Sequence, residues 1–248
     1  MKKFSLFLIS ILCLAACSSE ETNLSINGKV EGLKKGTLYL QKIEDTTLVS
    51  IDSVKVEGDP VFNFETYIES PQVYYLYLDK VDGSEYNDRI TFFAEPDEMT
   101  INTSLKNFEA DAVIEGSKNQ EKLADYRKMM KRFNDRNLEL IQANLQAQQE
   151  ENEEAMQAAN EEYEGLIKRR YLYTVNFAIN NKDMEVAPYL AISEVYDANI
   201  KYLDTIYKSL SPEIKDSKYG QSLSEFLKER RKMEKLNEVS SESSEENL

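Results

Sequence analysis

The hydrophobic periodicity of the chain changes near Gly116, and this change limits the fold more than any other feature of the sequence. Between Leu24 and Gly116, apolar and polar residues alternate in short runs separated by turn residues, a pattern typical of β-strands. In the second run the alternation directs Leu38, Leu40 and Ile43 inward. The predicted strands are Ser25–Val30, Thr37–Ile43, Leu48–Val56, Val61–Ile68, Gln72–Leu78, Ile90–Ala94 and Met99–Ser104. Such regular short strands predict an antiparallel β-sandwich or a barrel-like sheet.

The period becomes helical after Gly116. Ser117 and Gln120 have the spacing of a capping box, which marks a helix start. From Lys118 to Asn180 there is no proline and one glycine, Gly165, and apolar residues recur three, four or seven positions apart. The apolar stripe thins between residues 146 and 162, so this segment is either a solvated extension of one long helix or the tip of a helical hairpin.

Further helices are predicted in the rest of the chain. Pro188 is suited to begin a helix near Ala187, and Ser211 precedes Pro212 as an N-cap precedes proline at the first helical position. A last helix is predicted over Gln221–Leu236, followed by a disordered Ser/Glu tail over residues 238–248. The predicted fold class is therefore α+β, with an N-terminal antiparallel β-sandwich over residues 24–116 and an all-α region over residues 117–237.

The first seventeen residues predict where the protein is located. Lys2 and Lys3 precede an apolar run too short to span a bilayer as a helix, so residues 1–16 are predicted to be a signal peptide. Leu14-Ala15-Ala16-Cys17 matches a bacterial lipobox, in which the cysteine carries the lipid anchor. Residues 17–23 then form the anchor linker, and loss of both lysines changes the net charge from −15 to −17. The alternative is an ordinary signal peptide in which Cys17 is incidental.

The composition excludes many enzyme classes. The chain has no histidine, and its two cysteines, Cys13 and Cys17, both lie in the N-terminal segment, so it lacks imidazole-dependent catalysis and a CxxC redox pair. No phosphate-binding, dinucleotide-binding or serine-nucleophile motif is present. With 45 acidic and 30 basic residues, the chain is also poorly suited to nucleic acid. We expect a protein that is not an enzyme and needs no cofactor or metal.

Three groups of residues are weaker candidates for a site. The pairs Glu153/Glu154 and Asp97/Glu98 would suit a carboxylate hydrolase, although chance pairs are expected among so many acids. The acidic loop from Asp79 to Asp88 lacks the ligand spacing of an EF-hand and is predicted to be a polar hairpin loop.

The third group is a pair of tyrosines on one predicted strand. Tyr75 and Tyr77 share a face, whereas Tyr74 lies on the other with Leu76 and Leu78. A tyrosine face can bind a glycan or a peptide by stacking, but packing within the sheet is the commoner role.

Charge is distributed in blocks along the helical region. Residues 118–136 hold seven basic and three acidic side chains, whereas residues 137–165 hold eight acidic side chains and no basic one. The acidic block either is a solvated helical face or folds back toward the cluster Lys168-Arg169-Arg170.

Several short motifs resemble an uncharacterised β-domain, domain of unknown function 4369, of Bacteroidetes-type lipoproteins. These are the lipobox and residues 26–33 (INGKVEGL), 36–40 (GTLYL) and 51–54 (IDSV). In the helical part, residues 186–190 (VAPYL), 211–214 (SPEI) and 217–220 (SKYG) resemble the connecting region that leads into the thioredoxin-like part of those lipoproteins. Ser18-Ser19-Glu20-Glu21 resembles the export signal of surface lipoproteins in that group and slightly favours a surface-exposed over a periplasmic location.

This resemblance implies an outer-membrane lipoprotein whose β-domain has no established activity. The β-domain usually precedes a thioredoxin-like/AhpC-TSA domain, which would begin near residue 240; here an acidic tail occupies that position. We therefore expect a lipid-anchored, non-catalytic binding or scaffolding module of the cell envelope, associated with the membrane through Cys17 and with an envelope protein, such as a component of a thioredoxin-like redox system. The alternatives are a carboxylate hydrolase and a glycan- or peptide-binding module that uses Tyr75 and Tyr77.

Overall fold

The computed structural model describes residues 22–80 and 88–245, with side chains through residue 236. Eight strands come first along the chain. They are β1 (Leu24–Glu31), β2 (Lys35–Glu44), β3 (Thr47–Glu57), β4 (Val61–Thr66), β5 (Gln72–Lys80), β6 (Asp88–Ala94), β7 (Asp97–Ser104) and β8 (Val113–Glu115). All seven predicted strands are present, and only the three-residue strand β8 has no counterpart in the prediction.

The strands form two four-stranded sheets that face each other as a sandwich. The first sheet has the order β4-β1-β7-β8 and the second has the order β3-β2-β5-β6. Every pair is antiparallel except β1 with β7, which is parallel. The apolar core between the sheets takes side chains from both, including Ile26, Leu40, Phe64, Leu76 and Ile101. The predicted β-sandwich is confirmed, with one parallel pair in it.

One predicted core position in strand β2 is wrong. Leu38 and Leu40 are fully buried, but the Ile43 side chain is 45% exposed. Ile43 pairs with Leu48 next to the turn of the β2–β3 hairpin, and Leu48 is also exposed. Ile43 lies three residues after Leu40, so the alternation places it on the opposite face of β2, at the end of the hairpin where both it and Leu48 are exposed.

Six helices follow the sandwich in the part of the chain that the structure describes. They are α1 (Lys118–Gln149), α2 (Glu153–Asn180), α3 (Val186–Glu194), α4 (Ile200–Ser209), α5 (Pro212–Asp216) and α6 (Lys218–Glu245). The α+β fold class is thus confirmed. Helices α1 and α2 form an antiparallel hairpin, which decides between the two predicted alternatives. Asn152 caps α2, because its Oδ1 accepts a hydrogen bond from the Ala155 amide at 3.1 Å.

Helix α6 is longer than the sequence pattern predicts. It begins at Lys218 and continues through Glu245, so the backbone of residues 238–245 is helical and not disordered. No glycine or proline follows Gly220, and a helix that has already formed propagates through Ser, Glu and Lys at little cost. Residues 246–248 of the predicted tail lie outside the described residues. Within the described part of the chain, no helix is both long and apolar enough to cross a bilayer.

The outer face of the second sheet packs against the helices. Val73 and Phe93 from β5 and β6 are buried against Leu123 and Tyr126 of α1 and Leu190 of α3. The predicted capping box is half formed: the Ser117 hydroxyl accepts a hydrogen bond from the Gln120 amide at 2.9 Å. The Gln120 side chain instead accepts one from the Phe93 amide at 2.9 Å, which ties the start of α1 to the sheet. We call this packed region the sheet–helix joint.

Candidate functional site

Two of the predicted site residues lie on the face of strand β5 that the sequence assigned to them. Tyr75 and Tyr77 point to the outer face of the second sheet, whereas Tyr74 is fully buried in the sandwich core. The Arg89 guanidinium lies 5.6 Å from the centroids of both the Tyr75 and Tyr77 rings, and Tyr39 lies 5.9 Å from Tyr77. Cation–π contact with Arg89 therefore occupies one face of each ring. Ligand binding by this pair stays a prediction.

The acidic pairs have local roles in the structure. Glu153 and Glu154 are exposed in the first turn of α2, where carboxylates interact favourably with the helix dipole. Asp97 and Glu98 are exposed at the start of β7, and the Asp97 carboxylate accepts a hydrogen bond from the Glu98 amide at 2.9 Å. A hydrolase needs a carboxyl enclosed by protein, and both pairs face solvent.

The other predicted positions fall largely outside the described residues. These are the signal peptide, the lipidation site Cys17 and the centre of the acidic loop, residues 81–87. At the two ends of that loop, Lys80 and Asp88 form an ion pair. In the two described ranges, no group of three or more Cys, Asp or Glu side chains is arranged to hold a metal ion.

A polar cluster connects the two carboxylates Glu95 and Glu185 at the sheet–helix joint. The Asn119 side-chain amide donates to Glu95 at 2.6 Å and to Glu185 at 3.1 Å, and the Asn119 carbonyl accepts from the Val186 amide at 2.8 Å. Burial, partly offset by hydrogen bonds, raises the pKa of the Glu185 carboxyl above its ordinary value of 4.5. This cluster orients the starts of α1 and α3.

The raised pKa of Glu185 predicts a pH-dependent effect on stability. At pH 7 the ionised carboxylate opposes folding, and this cost disappears as the pH falls through the folded-state pKa toward the unfolded value near 4.5. Glu185→Gln should therefore raise the free energy of unfolding at pH 7, with a gain that shrinks to near zero by pH 4.5. Urea unfolding across this range measures the effect. Glu121→Gln, at an exposed residue in the first turn of α1, should give no such gain, and a pH-independent gain from Glu185→Gln would contradict the prediction.

A polar cleft lies between the end of the β2–β3 hairpin and the start of α6. Its volume is about 690 Å³, and its lining includes Lys42, Glu44, Gln72 and Lys218. The Lys218 ammonium donates to Gln72 Oε1 at 2.6 Å, and Lys42 pairs with Glu44 at 2.8 Å. Burial, followed by the charge of Lys42, lowers the pKa of Lys218. Basic and acidic side chains both line this cleft, so its charge does not indicate one class of ligand.

An exposed apolar surface lies on the α1–α2 hairpin, which we call the arm. Two adjoining cavities of about 240 and 450 Å³ share Tyr163 and run along one side of the arm. The first is lined by Ile141 and Leu145 of α1, and the second by Ile167 of α2 and Tyr202 of α4. We call this continuous surface the arm groove. The exposed fractions of Ile141, Leu145 and Tyr163 are 46, 54 and 43%, and Leu138 beside them is 64% exposed.

The arm groove exists because α1 carries two apolar stripes and α2 covers only one. The covered stripe repeats every three or four residues and faces α2, where Tyr126 contacts Tyr173 and Phe177. It comprises Leu123, Tyr126, Met130, Phe133, Asn137, Leu140, Asn144 and Ala147. Leu138, Ile141 and Leu145 form the second stripe on an adjacent face. In the sequence the two stripes merge into one helical pattern of apolar residues. The uncovered face becomes visible only when the residues of each stripe, which repeat about every seven positions, are considered separately.

Charge on the arm is separated as the sequence predicts. Arg136, the last residue of the basic block, forms ion pairs with two residues of the acidic block, Glu139 at 2.6 Å and Glu162 at 2.5 Å. Arg170 of the basic cluster pairs with Glu194 of α3 at 3.8 Å. Glu150, Glu151, Glu153 and Glu154 are exposed at the turn, so the acidic end of the arm is a solvated surface.

Comparison with known proteins identifies the β-domain. Residues 24–123 match a family model described as "Domain of unknown function (DUF4369)". The match covers the whole sandwich and the first six residues of α1, and confirms the resemblance of the motifs at residues 26–33, 36–40 and 51–54. No curated protein matches the chain.

Proposed function

We propose that this chain, with its DUF4369 domain over residues 24–123, is a non-catalytic binding or scaffolding protein of the cell envelope. A lipid on Cys17 anchors it to the outer membrane, and the arm groove holds a protein partner. The partner belongs to the same envelope, and a thioredoxin-like relative is one candidate that the DUF4369 family suggests.

The arm groove is the observation that carries the binding role. Leu138, Ile141, Leu145 and Tyr163 form a contiguous apolar patch in which each side chain is between 43 and 64% exposed. Monomeric proteins seldom leave such patches uncovered, and polar residues around an apolar patch are typical of protein–protein interfaces. Asn144, Asn160 and Glu164 line the same cavities and supply that polar rim.

The proposed anchor would keep the β-domain close to the membrane. The Asn23 side chain exchanges two hydrogen bonds with the Ile68 backbone, at 2.8 and 2.9 Å. The Asn23 backbone amide also donates to the Thr66 carbonyl at 3.2 Å. Asn23 is therefore already fixed to the sandwich. Six residue steps separate Cys17 from Asn23, and they span at most about 20 Å when fully extended.

Metabolic labelling with palmitate tests the anchor. The full chain should incorporate label, Cys17→Ala should lose essentially all of it, and Cys13→Ala should label like the wild type, because the proposal lipidates Cys17 alone. The two cysteines lie four residues apart, so the second variant is a matched control. Absence of label in the wild type, or its retention in Cys17→Ala, would contradict the proposed anchor.

A further inference from the structure

We propose that the arm groove binds the arm of a second copy of this chain, with the two arms antiparallel and related by a twofold axis near Ile141. This inference rests on the proposed function, because it uses the same groove and names its occupant. The contact would complete a four-helix bundle from two helical hairpins.

The uncovered face of α1 has the spacing that such a contact requires. Its residues follow one another at alternating intervals of four and three, which is the heptad pattern of helices that pack at a small angle. The series is Arg127, Lys131, Asn134, Leu138, Ile141, Leu145 and Gln148. Apolar side chains occupy its middle and basic ones its beginning, while the acidic turn of the arm follows its end.

This order of charges fits an antiparallel second copy. Lys131 lies ten residues before Ile141, about 15 Å along α1, and Glu151 lies ten residues after it, in the turn that follows the end of α1. With the twofold axis at Ile141, Lys131 of one copy therefore faces the acidic turn of the other, which includes Glu151, and the contact occurs twice. Both side chains are exposed, and no ion pair to either is found within the described residues.

Other arrangements put like charges together. A parallel pair of arms would bring two acidic blocks into contact, each with eight acidic and no basic side chains over residues 137–165. The chain as a whole carries −15, so two copies repel unless the basic and acidic blocks alternate across the contact. An anionic lipid surface is disfavoured for the same reason. The antiparallel second copy is the occupant that both the apolar stripe and the charge order fit.

Site-specific photo-crosslinking in the full chain tests this proposal. A photoreactive phenylalanine analogue at Ile141 should give a product of twice the mass of the mature chain that contains peptides of this chain alone. The same analogue at Met233, a 60% exposed residue of α6, should not give that product. Mass spectrometry of the excised product identifies its components.

Charge reversal tests the predicted direction of the arms. Lys131→Glu and Glu151→Lys should each lower the yield of the crosslinked dimer at least about threefold, and the double variant should restore it. A dimer unaffected by either change would overturn the antiparallel arrangement. Crosslinking of Ile141 to a different protein would overturn the second copy while supporting the arm groove as a binding surface. Absence of any crosslink at Ile141 would contradict both proposals.

Discussion

Replacing Phe93 with alanine should lower the free energy of unfolding by about 3–5 kcal/mol and separate the unfolding of the sandwich from that of the helices. Phe93 is fully buried at the sheet–helix joint, where its ring centroid lies 5.6 Å from that of Tyr189 and 5.8 Å from that of Tyr219. The Tyr219 hydroxyl also accepts a hydrogen bond from the Val73 amide at 2.9 Å, so loss of the Phe93 ring disturbs contacts with two strands. The backbone hydrogen bond of residue 93 to Gln120 and the packing of Val73 would remain, but the aromatic contacts that join β6 to α3 and α6 would be lost.

Phe92 is the matched control for this prediction. It is adjacent in the sequence, equally buried, and points to the opposite face of β6, into the sandwich core. Phe92→Ala should lose a similar free energy of unfolding while the chain keeps a single cooperative transition. Hydrogen exchange during urea unfolding distinguishes the variants, because it reports on strands and helices separately. Strands and helices that exchange together in Phe93→Ala would show that this residue does not couple them.

Much of the sandwich could be predicted because its strands are encoded locally. In β5, the alternation assigned Tyr74 to one face and Tyr75 and Tyr77 to the other, as the structure shows. Strand β8 has three residues, too few to produce a periodic pattern. In β6, the adjacent Phe92 and Phe93 break the alternation, and this break indicates that both faces of the strand are buried.

The tyrosine face of β5 and the arm groove were harder to predict, because both depend on contacts between segments that are distant in the sequence. Arg89 reaches the two tyrosines because β6 pairs it with Tyr77, a register that the sequence pattern of either strand does not reveal. The arm groove requires the α1–α2 hairpin, which brings Ile141 and Tyr163 into one cavity from positions 22 residues apart. The charge blocks are visible in the composition of the sequence, whereas the uncovered apolar stripe within the acidic block is not.

If the protein acts by binding through the arm groove, the mass of the solubilised complex should depend on that groove. In a mild detergent, the full chain should migrate as an assembly larger than one chain. Ile141→Glu should reduce it to a single chain, because a carboxylate at the middle of the stripe would be buried without a partner at the contact. Ile141 is 46% exposed, so the fold itself should tolerate this change, as circular dichroism would verify.

Met233→Glu provides the control, since it introduces the same charge at an exposed apolar position on α6. Light scattering of detergent-solubilised complexes, corrected for bound detergent, measures all three masses. The wild type and Met233→Glu should each have the mass of an assembly, and Ile141→Glu should have the mass of a single chain. Equal masses for all three proteins would contradict binding through the arm groove.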